Sequence, residues 1–252
     1  MGLPTDGAFG RGWGGAAGYG AFGHATVAWS GGVAAARGAA VRNSFGNYGT
    51  FGAGWYGAHP GAWAAAGWAA GAAWNVAAWP AVGAWCGWGN SVQPVTYQYG
   101  DNITYQGDQV YYGDQPVATA DQYYQQASTL AQSAPPPDPQ STDWMPLGVF
   151  SLVQGDQSDS SNMFELAINK SGAIAGNYYS ALAGSTLPVH GSVDKKTQRV
   201  AWTVGDNKAT VYDAGISSLT KDEAPVLLHF GKDRTQQGML VRLKKPESEP
   251  QQ

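Results

Sequence analysis

"SNMFELAINKSGAIAGNYYSA", residues 161–181, decides the fold. Its two runs "NMFELAIN" and "GAIAGNYY" flank the short polar connection "NKSG", and so short a link favours an antiparallel hairpin. Successive side chains of a strand point to opposite sides, so Ile174, Gly176 and Tyr178 share one face. The same rhythm begins upstream at "LGVFSLV" and continues through "LPVHGSVD", "QRVAWTV", "ATVYDAG", "PVLLHFG" and "GMLVRLK". Polar links such as "DKKT", "GDNK" and "GKDRTQ" separate the later runs. Eight sequential strands over about 100 residues predict an up-and-down antiparallel sheet curled into a closed barrel, which removes exposed edges. By the same parity Val200, Trp202 and Val204 point inward with Tyr178.

Upstream of the barrel, "PPPDPQSTD" (135–143) is extended and reads as a linker. "TADQYYQQASTLAQSA" (119–134) predicts a helix capped by Thr119 or Asp121. Its buried stripe would be Tyr123, Tyr124, Ala127, Leu130 and Ala131. In "VTYQYGDNITYQGDQVYYGDQPVA" (95–118), Gly100-Asp101, Gly107-Asp108 and Gly113-Asp114 punctuate strand-like runs and predict a small β-meander. "GAWAAAGWAAGAAWNVAAWPAVGAWCGWG" (61–89) repeats at eleven residues: Trp63, Trp74 and Trp85 align, as do Trp68 and Trp79. Eleven residues is close to three helical turns, so short Ala-rich helices with Trp anchors packed on the meander are expected. Pro80 would open one of them. A membrane span fits poorly, because Ala and Gly gain little on leaving water and indoles favour interfaces. The expected class is therefore α+β, mainly β. A Gly- and aromatic-rich, largely flexible segment (1–55, with a short helix over 33–45) precedes Trp-rich helices, meander and helix (56–134). The linker (135–143), an eight-stranded antiparallel barrel (144–245) and a disordered tail (246–252) follow.

The chain of 252 residues carries a net charge of −4. That balance gives no general basis for nucleic-acid binding, which needs clustered Lys and Arg. Between Arg42 and Asp101 only His59 can be charged near neutral pH; Asp101, Asp108, Asp114, Asp121, Asp138 and Asp143 then form a base-free middle. With Cys86 as the single cysteine, neither an intrachain disulfide nor a thiolate cluster can form. Residues 1–30 show no secretory signal pattern.

Little in the chain points to a reaction. His24, His59, His190 and His229 have no metal-binding spacing. No nucleophile elbow occurs. Gly10, Gly12 and Gly15 fit G-x-G-x-x-G without a preceding strand, which makes the match a product of composition. Asp156, Ser158 and Ser160 resemble part of a calcium loop, but Ser161 replaces its glycine and Ala167 its glutamate. The meander aspartates read as turn residues, and Asp222-Glu223 as a solvated pair. No metal or cofactor is expected. Tyr178 and Trp202 are the candidate ligand-binding residues, for a small apolar molecule inside the barrel; aromatics that simply fill a small barrel are the alternative.

The strand, Gly turn and Gly176-Asn177-Tyr178 of residues 161–181, continued by "LPVHGSVDKKTQRVAWTV", resemble avidin-like barrels over residues 147–243. The resemblance implies a barrel in which Tyr178 would face a ligand. Apolar Leu152 stands where that family has a polar contact, and "PVLLHF" and "QGMLVRL" supply no tryptophan, so biotin is not the expected ligand. A broader likeness rests on "WYGAHPGAWAAAGWAAGAAW", "TYQYGDNITYQGDQVYYGDQPVATADQYYQQASTLA" and "WMPLGVFSLVQGDQSDSSNMFELAINKSGAIAGNYY". Together they resemble a planctomycete family of uncharacterised proteins labelled mu-protocadherin-like putative cell-surface proteins. That likeness implies export, and "MGLPTDGAFG" reads as internal to a longer Gly-rich region with a signal peptide upstream. The expected function is thus that of a non-enzymatic cell-surface or envelope protein, extracellular or in the cell envelope. It would act on protein or matrix partners, without nucleic acid or a transmembrane span. The alternative is a small-molecule-binding barrel of avidin or lipocalin type.

Overall fold

The computed structural model describes residues 24–25, 31–46, 49–69, 71–135, 138, 140–155 and 161–245. In chain order the elements are β1 (His24–Ala25), α1 (Gly31–Ser44), α2 (Ala53–Ala58), a 3-10 turn (Ala72–Trp74) and α3 (Trp79–Trp85). Then come β2 (Ile103–Gln106), β3 (Gln109–Tyr112), β4 (Gln115–Thr119) and α4 (Ala120–Ser133). The last eight strands are β5 (Trp144–Gln154), β6 (Asn162–Asn169), β7 (Ala173–Ser180), β8 (Ser185–Asp194), β9 (Arg199–Val204), β10 (Asn207–Gly215), β11 (Glu223–Phe230) and β12 (Thr235–Arg242).

Each of β5 to β12 pairs antiparallel with the next, and β12 returns to β5 from Gly238↔Gln154 to Arg242↔Phe150. The result is the closed eight-stranded up-and-down barrel that the hairpin spacing predicts. Beyond the end of β5, β1 adds two residues in parallel to β12 at Thr235 and Gln236.

Inward parity holds. Ile174, Tyr178, Val200, Trp202 and Val204 all belong to the lumen core, with Phe150, Leu152, Phe164, Leu166, Tyr212, Leu228 and Leu240. Gly191, opposite Trp202 on β8, is there because a Cβ would lie 2.5 Å from the Trp202 Cβ and 2.3 Å from the Ala201 carbonyl oxygen.

The Trp-rich stretch departs from the helical reading. Only Trp79–Trp85 is α-helical, with Pro80 in its first turn as expected. Gly67 and Gly71 take φ of 78° and 80°, a conformation that suits glycine and ends helices. The indoles anchor an irregular strap to the barrel instead of to the meander. Trp85 Nε1 donates to the Ile168 carbonyl (3.1 Å) and Trp68 Nε1 to that of Trp144 (3.4 Å). Ala77, Val82 and Cys86 enter the lumen cluster, so α3 plugs one barrel end.

Further parts of the outer wall are covered. Trp55, Trp74 and Phe51 pack on Val149 and Met163; Trp63, Trp68 and Ala65 pack on Trp144, Ala167, Ala173 and Ala175. Val41 of α1 meets Val153, Met239 and Val241. Helix α1 is the short helix expected over 33–45, and residues 31–46 and 49–55 are packed chain within a segment otherwise expected to be largely flexible; residues 1–23 and the tail 246–252 lie outside the described residues.

The meander forms as β2–β3–β4, with φ of 62° at Gly107 and 58° at Gly113 in its turns. Helix α4 follows with the expected Thr119 cap. Thr119 Oγ1 accepts from the Gln122 amide (3.2 Å), and Gln122 Oε1 from the Thr119 amide (3.0 Å), a complete capping box. Tyr123, Ala127 and Ala131 are buried, and Tyr124 and Leu130 are half-buried. Ala127 and Ala131 pack on Ala201 and Val211 of the barrel. Thr119→Ala should cost about 1 kcal/mol, read as a lower urea midpoint; no change would mean that packing alone holds α4. The linker thus joins α4 to β5 without separating two packing units.

Candidate functional site

Both sequence-predicted residues reach the lumen, where they meet through Phe164, the register partner of Tyr178 across the β6–β7 hairpin. Phe164 lies 5.2 Å from the Tyr178 ring and 6.1 Å from that of Trp202, centroid to centroid. Trp202 is fully buried and stacks on Tyr212 at 5.7 Å and 8°, while Phe164 meets Tyr212 edge-on at 5.1 Å. Tyr178 Oη donates to Asn162 Oδ1 at 2.8 Å, and burial pushes its hydroxyl up to about 12. Leu152 faces the same core, so the first barrel strand offers apolar surface there. The four rings fill space that an open ligand barrel would leave empty, and α3 closes the opposite end. Trp202 Nε1 is buried without an acceptor among the described residues.

A second concentration of chemistry lies outside the barrel wall, where β9, β10 and β11 face α4 and the meander. Arg199 grips Asp213 with two bonds, Nε to Oδ1 at 2.9 Å and Nη2 to Oδ2 at 2.6 Å. Its Nη2 also donates to the Tyr123 carbonyl (3.1 Å), and its guanidinium lies 3.6 Å from the centre of the Tyr123 ring. His229 Nε2 sits 3.2 Å from Asp213 Oδ2. Burial pushes the Asp213 carboxyl up, but the Arg199 guanidinium and, to a lesser degree, the bond from His229 together more than offset it, and the group lies below the usual carboxylate range. Burial holds His229 below its ordinary value, as a neutral ring. Neutral His229 then donates from Nε2 to Asp213. Gln237 Nε2 continues the layer by donating to the Tyr99 carbonyl (2.7 Å). This network ties the barrel to α4 and the meander. Sequence inspection missed it because Arg199, Asp213 and His229 are outward positions of a strand pattern, which alternation reads as solvated.

The third group is Glu165, also outward on β6 and fully buried. Burial pushes its carboxyl up to about 7, although Tyr56 Oη and Asn177 Nδ2 both donate to it. Glu223 departs from the solvated-pair expectation: it is part-buried and takes a 2.7 Å ion pair from Arg42 of α1.

His59 stacks on Trp55 with centroids 4.2 Å apart, and burial pushes the Cys86 thiol up. Among the described residues no three His, Cys, Asp or Glu side chains gather to hold a metal ion. The glycine motif at 10–15 and the Asp156–Ser160 loop lie outside the described residues, as does the side chain of His24. Among the described residues no helix is long and apolar enough to cross a membrane. Compared with known protein families, curated proteins and solved structures, the chain matches none.

Proposed function

We propose that this protein is an exported, non-enzymatic cell-surface or envelope component whose barrel is a rigid scaffold for contacts with protein or matrix partners. The observation that supports this most is the lumen, occupied by Phe164, Tyr178, Trp202 and Tyr212 and plugged at one end by α3. Ligand pockets are concave, with a few convergent polar groups over apolar walls. A lumen filled by its own rings leaves recognition to the outer surface. Export rests on the resemblance to the planctomycete surface proteins. The two parts have separate tests. Protease added to intact producing cells should degrade the protein; survival until lysis would place it inside and overturn the export reading.

The second reading, a small-molecule barrel, is favoured by one observation: Trp202 Nε1 is a buried donor with no acceptor among the described residues, in the same cluster as Tyr178. Native mass spectrometry of purified protein separates the readings. The scaffold should fly at the mass of its chain alone, whereas a retained small molecule, lost in Trp202→Phe, would establish the binder. Biotin should produce no calorimetric signal at micromolar concentration, which corresponds to about −8 kcal/mol.

A further inference from the structure

Glu165 is a carboxyl with no solvent contact on the outer wall of the barrel, between Val149 of β5 and Asn177 of β7. Tyr56 Oη of α2 donates to its Oε1 at 2.6 Å, and Asn177 Nδ2 to its Oε2 at 2.5 Å. The Asn177 amide in turn pairs with the backbone of Trp63 on both sides, accepting from its N–H (2.8 Å) and donating to its carbonyl (2.7 Å). One carboxyl therefore joins the barrel both to α2 and to the strap that follows it. The nearby titratable groups are Tyr56 on α2, His59 just after it and Tyr179 on β7; His59 lies between Trp55 and Tyr179, with centroids 4.2 and 5.7 Å away. The partners of Glu165 are neutral donors, and among the described residues no cation compensates its charge.

We propose that Glu165 is a pH-sensitive latch: neutral, it holds α2 and residues 53–65 on the barrel wall, and ionised, it releases them while the barrel stays folded. A buried carboxylate held by two neutral donors keeps too little of the solvation it had in water. Lifting the strap restores water to it. The closed carboxyl titrates near 7 and the water-exposed one near 4.5. A group raised in the closed state contributes its full stabilisation below the open value and loses it as pH rises to the closed value. Release is therefore confined to the interval between those two values and levels off above it. From pH 5 to pH 8 the opening equilibrium should rise roughly fifty- to hundredfold.

Amide hydrogen exchange on the full chain, corrected for intrinsic rates, reads this directly. Amides of residues 53–65 should lose protection by that factor between pH 5 and pH 8, while those of β9 and β10 keep theirs. Glu165→Gln preserves shape and removes the charge, so its strap should stay as protected at pH 8 as the parent is at pH 5. Equal pH dependence in Glu165→Gln, or simultaneous loss in β9 and β10, would overturn the latch. Tyr56→Phe serves if the glutamine variant fails to fold. It removes a donor that favours the ionised form, so the release interval should extend to higher pH; an unmoved interval also overturns the proposal.

Discussion

Asp213→Ala is expected to lower folding stability by about 3–5 kcal/mol, the usual cost of leaving a buried charge without its partner. The Asp213 side chain is fully buried and that of Arg199 is 7% exposed, so water cannot replace the lost carboxylate. The guanidinium would keep its contacts to Tyr123 and Gln126, both neutral. His229 would lose its acceptor as well. A urea titration with tryptophan emission as the signal measures the change, and a loss under about 1 kcal/mol would contradict the buried-pair argument. A companion experiment isolates the pair from its burial. Replacing both residues with apolar ones (Arg199→Met with Asp213→Leu) should cost less than Asp213→Ala alone, because neither charge then remains buried. A double variant as damaged as the single one would point to packing, not charge, as the role of this layer.

Trp202→Ala should cost a similar amount, about 3–5 kcal/mol, for a different reason. Trp202 is fully buried, stacks on Tyr212 and meets the edge of Phe164. Its removal leaves a void in a closed barrel, whose paired strands on every side cannot move in to fill it. The opposite residue is Gly191, which has no side chain to swing into the space. Chemical denaturation again gives the measurement. A loss below about 1 kcal/mol would mean that the lumen is already loosely filled, and would favour the ligand-binding reading over the scaffold. The two substitutions act on opposite sides of one β-sheet, and their effects should add when combined if the inner and outer layers are energetically independent.

Several elements were legible from local chemistry. Helix α4 was readable because Thr119 and Gln122 form their capping box within three residues. The meander was readable because Gly107 and Gly113 sit where tight turns need positive φ. Tyr178 and Trp202 were assignable to one side of the sheet by parity, and closure of the barrel brings them to a common partner, Phe164. That ring is the register partner of Tyr178 across the β6–β7 hairpin, whereas nothing in the order of residues says that Trp202, on β9, reaches it. The strap shows the opposite failure. Its eleven-residue Trp spacing matches a helix, yet its indoles bond to carbonyls of Ile168 and Trp144, far along the chain. Tertiary hydrogen bonds and packing, with left-handed glycines at 67 and 71, outweighed a helical tendency that Ala and Gly hold only weakly.

The sequence by itself determined the antiparallel barrel: strand order, hairpin links and inward side chains all follow from period-two patterning and turn residues within a few positions. Only the tertiary structure decided the fate of the outward side chains. Glu165, Arg199, Asp213 and His229 occupy positions that alternation assigns to solvent, and each lies buried beneath chain from elsewhere. Local pattern records which side of a sheet a residue faces. Whether water or another layer of protein waits there depends on contacts such as Tyr56 to Glu165 and Tyr123 to Arg199, between residues far apart in the chain. In water those four groups would be ordinary polar surface groups. Under the strap, α4 and the meander, burial makes Glu165 a carboxyl that titrates near neutrality, sets Arg199 and Asp213 as a bonded ion pair and keeps His229 a neutral ring bonded to it.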